Sequence, residues 1–209
     1  MKTLIAIAGC HAYKSKADAQ RATWVQDVQG ADVRFFAGGK RANKQPDEVF
    51  LDCPDDYEHR LEKVRAIFDW TLTQGYDYLW KVDDDVYLRP ERLLALEPHH
   101  SQGHLMAHKT LHGVFTQLGA CGGFSRRAMK LVLAEPIPPC NHRFEDVFVT
   151  LTLISKGITP FQRKHLMAFT HKHGDPFTWN MSAPPHPSNA IVAGFEYTPA
   201  QLHQIHSWF

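Results

Sequence analysis

The chain predicts an α/β fold, a mostly parallel central sheet flanked by helices, and three observations carry that prediction. Short unbroken apolar runs alternate with amphipathic stretches through the first half, as buried parallel strands alternate with covering helices. One strand-like segment, Tyr78 to Val82, passes straight into Asp83, Asp84 and Asp85; in such sheets ligands sit beyond the carboxyl ends of strands. The 209 residues, 44% of them hydrophobic, supply one full core and predict a single domain over residues 1–209.

Thr3 to Ala8 is the first apolar run and reads as a buried strand. The stretch from Ile7 to Cys10 imitates a bacterial lipoprotein cleavage site, but the apolar segment before it is short for a signal peptide, so the strand reading is preferred. A polar segment carrying Ala17, Ala19, Ala22 and Trp24 then predicts a helix. Val33 to Ala37 and Glu48 to Leu51 predict the next two strands. From Tyr57 to Gln74, Leu61, Val64, Ile67, Phe68 and Leu72 form one helical stripe, and Gly75 marks the stop. Tyr78 to Val82 is a further strand. Arg126 to Leu133 and Glu145 to Lys156 predict helices, the second ended by Gly157, and a last helix begins after Pro199. The loops between are rich in proline (135–139) or histidine (171–186).

Composition excludes several classes. The net charge is +1, from 23 basic and 22 acidic side chains, without the basic run that a nucleic-acid groove or an anionic membrane requires. Nothing approaches the ~20 consecutive apolar residues of a membrane span; a cytoplasmic protein, bacterial or viral, is the expectation, with a Golgi-lumenal catalytic domain as the alternative. Cys10, Cys53, Cys121 and Cys140 lack the spacing of a zinc knuckle and read as free thiols.

The acidic triplet is the sharpest chemical signal. Adjacent carboxylates repel one another unless a cation or solvent neutralises them, and hard oxygen donors suit Mn²⁺ or Mg²⁺ on a diphosphate. Set alone, it could equally be a solvated turn, but it is flanked by apolar strand on one side and by Val86 to Leu88 on the other. Glu145 and Asp146 either offset a helix dipole or supply a base for a hydroxyl. Arg21 and Lys63 offer cations or simply polar helix faces. Gly122 and Gly123 allow close backbone approach or a strand bulge. The pair His171 and His173 could reach a metal or lie on the surface.

In order along the chain, these pieces resemble glycosyltransferase family 31, the β-1,3-galactosyltransferase and Fringe-type enzymes. The residues are Arg21 to Trp24, Val33 to Gly38, Asp55, Tyr57 and Lys63, Tyr78 to Tyr87, Gly119 to Ser125, Glu145 to Val147, and Gly157 with Ile158. The match departs at Thr150, near which the family often has glycine.

The resemblance implies a GT-A fold with a nucleotide-binding half (about 1–90) and an acceptor-side half (about 91–209). It implies an inverting hexosyltransferase that moves galactose or an N-acetylhexosamine from a UDP-sugar to a glycan hydroxyl, in a β-1,3 linkage. Ala8, Gly9, Arg21, Lys63, Asp83 and Asp84 would then serve the donor nucleotide. Asp85 is the main ligand of a Mn²⁺ or Mg²⁺ ion in the DxD manner, with Asp83 and a histidine: His173 first, then His171, then His186. Gly122 and Gly123 fall on the sugar side, and Asp146, with Glu145 as the alternative, becomes the base. A metal-dependent hydrolase of a nucleotide sugar or phosphoester, or a non-catalytic sugar-binding relative, are the rival expectations.

Overall fold

The computed structural model describes residues 1–40, 42–96, 105–107, 110–111, 115–116, 121–137, 145–158, 161–162, 192–194 and 197–207. The first half follows the predicted order: β1 (Thr3–Ala8), α1 (Lys14–Arg21), β2 (Asp32–Gly38), β3 (Glu48–Leu51), α2 (Arg60–Thr73) and β4 (Tyr78–Asp83). Beyond it come β5 (Tyr87–Leu88), α3 (Pro90–Leu94), β6 (Leu105–Ala107), β7 (Thr110–Leu111), β8 (Phe115–Thr116) and β9 (Gly122–Ser125). Then follow α4 (Arg126–Ala134), α5 (Glu145–Ser155), β10 (Phe161–Gln162), β11 (Val192–Gly194) and α6 (Pro199–His206).

Seven strands form the main sheet in the order β10-β6-β9-β4-β1-β2-β3. Pairing is parallel between β1 and β2, β1 and β4, β2 and β3, and β6 and β10, while β9 runs antiparallel to β4 and β6. This mostly parallel sheet with helices on its faces is the expected α/β architecture. From β1 the chain steps outward through β2 and β3, then returns to the other flank of β1 as β4. The winding direction reverses there, so the carboxyl ends of β1 and β4 lie side by side, with Ala8 opposite Asp83. That is where an open α/β sheet forms a crevice.

β1 shows why the apolar runs are unbroken rather than alternating. Ile5 and Ile7 pack with Trp24, Trp80, Leu202 and Ile205 on one face, while Leu4 and Ala6 pack with Phe36, Ile67, Phe68 and Phe124 on the other. Both faces are buried, so every position is apolar. Each fully buried leucine or isoleucine of this strand contributes roughly 1.5–3 kcal/mol.

Two helix boundaries differ from expectation, for local reasons. The helix expected to reach Trp24 stops at Arg21, because the Thr23 hydroxyl donates to the Ala19 carbonyl (2.7 Å) and the chain rewinds as a tighter turn over Trp24–Asp27. The helix expected from Tyr57 starts at Arg60, since Asp56 accepts the His59 N–H (3.0 Å) and the preceding residues form a loop. Gly75 and Gly157, the predicted stops, adopt φ of +77° and +76°, the left-handed geometry that closes a helix at little cost for glycine. Cys10, Cys53 and Cys121 are free thiols; Cys140 lies outside the described residues. No helix among the described residues is long and apolar enough to cross a membrane.

Candidate active site

A cleft of about 390 Å³ opens over the carboxyl ends of β1 and β4. Its floor is Ala8, Gly9 and Cys10 after β1, together with Lys81 and Asp83 to Asp85 at the end of β4. One wall is Asp55 to Tyr57, Arg60 and Lys63, and Glu145 closes the far side. Among the described residues, six carboxylates (Asp55, Asp56, Asp83, Asp84, Asp85, Glu145) thus face three cations (Arg60, Lys63, Lys81), so that this lining is short of positive charge.

Strand periodicity sets the floor. Residues two apart share a face, so Lys81 and Asp83 point the same way and pair with each other. The turn that follows sends Asp84 beneath Gly9, where it is only 6% exposed and accepts the Cys10 N–H. A methyl group on Gly9 would sit 2.9 Å from the Asp84 Oδ2, which explains the glycine. Asp85 turns toward α1, where its Oδ2 lies 3.3 Å from Lys16 Nζ, and its carbonyl accepts the Tyr197 N–H at 3.1 Å.

Burial, then repulsion by Asp85 and Asp83, pushes Asp84 up to about 7, against the pull of Lys16 and the Cys10 N–H. Burial likewise raises Asp83 to about 6; Lys81 opposes this, while Asp85 and Glu145 add to it. Burial alone would lower the Lys81 pKa, but Asp83 and Glu145 outweigh it and keep the ammonium charged. Among the described residues no three carboxylate, imidazole or thiol groups converge on one point. The chemistry of the floor fits a divalent cation nonetheless: hard carboxylate donors, in excess of local cations among the described residues, held next to one another at a strand end.

This crowding has a measurable consequence. In the unfolded chain the Asp84 carboxyl titrates near the ordinary 3.8; in the fold burial, with repulsion from Asp85 and Asp83, pushes it up to about 7. Between these values the fold holds protons that the unfolded chain has lost, so stability falls as pH rises from about 4 to 7. With divalent ions chelated, Asp84→Asn is expected to melt above wild type at pH 7.5, by a few degrees at roughly 2–4 °C per kcal/mol. The gap should close toward pH 4.5. Scanning calorimetry at both pH values checks it; a gap independent of pH would show that Asp84 titrates normally.

The wall is organised by Asp55. Its carboxylate accepts the His11 and Gly38 N–H groups (both 2.7 Å) and Lys63 Nζ (2.8 Å). Burial works to raise its pKa, but Lys63 and the two N–H groups hold it below the usual carboxylate range. Lys63 also donates to the Gly9 carbonyl at 2.9 Å, so one ion pair ties the ends of β1 and β2 to α2. Across the cleft, Glu145 and Asp146 occupy the first turn of α5, where the helix dipole favours negative charge. Glu145 is 6% exposed and pairs with Arg60 at 3.3 Å. The Arg60 guanidinium lies 3.6 Å from the centre of the Tyr57 ring.

Of the residues singled out in the sequence, Ala8, Gly9, Lys63, Asp83, Asp84, Asp85 and Glu145 meet in this cleft. Asp146 flanks it, half-buried, and its charge acts on Lys81. Arg21 does not line it: the guanidinium is bound by Asp47 (2.8 Å), Asp18 (2.9 Å) and Glu48 (3.0 Å) and lies over Phe35. Those carboxylates compete for it more closely than any group at the end of β1, so its place is a buttress between α1 and β3. Gly122 and Gly123 do not line it either. They pair with Lys81 and Trp80 in the sheet, and a methyl on Gly123 would come within 2.6 Å of the Trp80 ring, so packing demands that glycine. His171, His173 and His186 lie outside the described residues.

Sequence reasoning left Lys81, Arg60 and Lys16 unassigned. Lys81 had a signal, a lone charge between Trp80 and Val82 two residues before an aspartate. Arg60 and Lys16 had none, because their partners Glu145 and Asp85 lie far along the chain.

No curated protein matches the chain. Among solved structures, the glycosyltransferase GlyE of Streptococcus pneumoniae TIGR4 is similar at 11% identity and a TM-score of 0.47, over 77% of this chain and 45% of that one. This chain therefore spans less than half the length of that structure. The model of the galactosyltransferase family matches residues 18–120, a stretch that holds Asp55, Lys63, Lys81 and the whole acidic turn. Over residues 18–120, just under half of its length, the chain is thereby similar to the galactosyltransferase family.

Proposed function

We propose that the cleft binds a UDP-sugar and transfers its hexose, galactose or an N-acetylhexosamine, to a hydroxyl of a glycan acceptor with inversion, forming a β-1,3 linkage. The observation that carries this reading is the meeting of Asp83, Asp84 and Asp85 with Glu145 in one cleft, in a chain whose first half matches the galactosyltransferase model. The backbone at Ala8 and Gly9 receives the nucleoside, held in place by Lys63 through the Gly9 carbonyl. Asp85 and Asp83, with a histidine such as His173, would hold a Mn²⁺ or Mg²⁺ ion. That ion supplies positive charge opposite the diphosphate of the leaving nucleotide.

The acidic pair on α5 takes the acceptor proton. The freed oxygen attacks the anomeric carbon, the bond from that carbon to the phosphate oxygen breaks, and the electron pair leaves with UDP. Asp146 is the first assignment for the base, with Glu145, which pairs with Arg60, as the alternative. A thermal-shift panel of UDP-sugars with and without Mn²⁺, followed by transfer assays on glycan acceptors, tests the reading. Stabilisation by a UDP-sugar only with Mn²⁺, and acceptor-dependent loss of that sugar, are expected. Release of free sugar at the same rate without acceptor would replace transfer by hydrolysis.

Gly9→Ala tests the floor without touching a charge. Gly9 carries no positive φ, so the backbone admits alanine, but its methyl must displace the Asp84 carboxylate. UDP affinity in Mn²⁺ should fall about tenfold or more, with the far-ultraviolet circular dichroism unchanged. Wild-type affinity in this variant would mean that Asp84 gives way freely and its position is unimportant.

A further inference from the structure

Gln20 is fully buried, whereas the other polar residues of α1 keep some exposure. Its amide nitrogen donates to the Asp83 carbonyl at 3.1 Å and to the Val86 carbonyl at 2.9 Å. These two carbonyls bracket Asp84 and Asp85. The orientation of the amide follows from chemistry, since the reversed group would set its oxygen against two acceptors. The consequence is a buried Oε1 with no partner among the described residues, which destabilises the fold. A methionine or leucine would fill the same space without that orphan, but would take the amide donor from the Asp83 carbonyl, while the Val86 carbonyl keeps the Trp24 indole. Other contacts already fasten parts of the turn: the Trp24 indole N–H reaches the Val86 carbonyl at 3.1 Å, and the Tyr197 N–H reaches the Asp85 carbonyl. Gln20 does something different from these, because one side chain spans both ends of the acidic turn.

We propose that Gln20 is a positioning residue, a clamp whose amide holds the turn from Asp83 to Val86 closed so that the three carboxylates keep a set spacing toward the cleft. The inference rests on the glycosyl-transfer reading of that cleft. Supporting groups one step removed from the ligands often decide how well a cation is held, and a buried amide with one unmet acceptor is the cost of such support.

The test uses Gln20→Met and Gln20→Leu, with Trp24→Phe as the variant that removes a single bond to the same turn. Melting temperature, amide exchange over Asp84 to Tyr87, and UDP affinity with and without Mn²⁺ are measured on each. The clamp predicts that Gln20→Met melts close to wild type, since the relieved orphan offsets the lost amide bonds, exchanges faster in the turn, and loses about tenfold or more of its Mn²⁺-dependent UDP affinity. Trp24→Phe should melt lower but keep more of that affinity. Wild-type affinity and wild-type exchange in Gln20→Met would overturn the clamp and leave the transfer reading intact. Failure of both Gln20 variants to fold would assign Gln20 to the core and overturn it too. Wild-type protein that binds no UDP in Mn²⁺ would remove the transfer reading and the clamp together.

Discussion

Asp85→Ala is expected to abolish Mn²⁺-dependent UDP binding while leaving a folded protein. Among the described residues its carboxylate pairs with Lys16, and its backbone carbonyl keeps the Tyr197 bond whatever the side chain. Removing the carboxylate also removes the largest charge repulsion acting on Asp84, so the metal-free fold should be as stable as wild type or more so. Stability and binding are therefore expected to move in opposite directions, a pattern that global unfolding cannot produce. Isothermal calorimetry with UDP, with and without Mn²⁺, on variant and wild type decides it. Equal affinity in Mn²⁺ would show that Asp85 holds no cation in the complex.

The second large effect is expected at the start of α5. If Glu145 and Asp146 only offset the helix dipole, Asp146→Asn costs at most ~1 kcal/mol of stability and little activity. If Asp146 is the base, its amide cannot accept the acceptor proton, and transfer falls by roughly two orders of magnitude or more with donor affinity retained. Asparagine has nearly the shape of aspartate, so packing is spared. Glu145→Gln is a different experiment, because it breaks the pair with Arg60 and frees a guanidinium stacked on Tyr57. Single-turnover transfer and donor affinity, measured on one preparation of each variant, separate the outcomes. Near-normal transfer in Asp146→Asn with loss in Glu145→Gln moves the base to Glu145, and near-normal transfer in both removes this mechanism.

Much of this site was legible because its signals are local. The segment from Tyr78 to Val82, apolar but for Lys81, reads as a buried strand, and whatever follows such a strand in a parallel sheet stands at a crevice, so Asp83 to Asp85 declared their place from local pattern. Gly75 and Gly157 declared the helix ends in the same way, since a positive φ is a local demand that glycine meets. Glu145 could be found for a similar reason, as an acidic residue opening an apolar helix. Where an assignment depended on a partner, sequence was silent or misleading. Arg21 reads as a cation near a strand end, yet it is claimed by Asp47 and Glu48, 26 and 27 residues away. Gly123 reads as room for a ligand, yet the room is taken by the Trp80 ring from the neighbouring strand. Gln20 reads as one polar residue on a polar helix, and only the approach of α1 to the end of β4 makes it span a turn more than 60 residues on. Periodicity, turn chemistry and apolar runs are properties of neighbouring residues, and the sequence alone determined them. Which cation meets which carboxylate is a property of distance in space, and that only the tertiary structure decided.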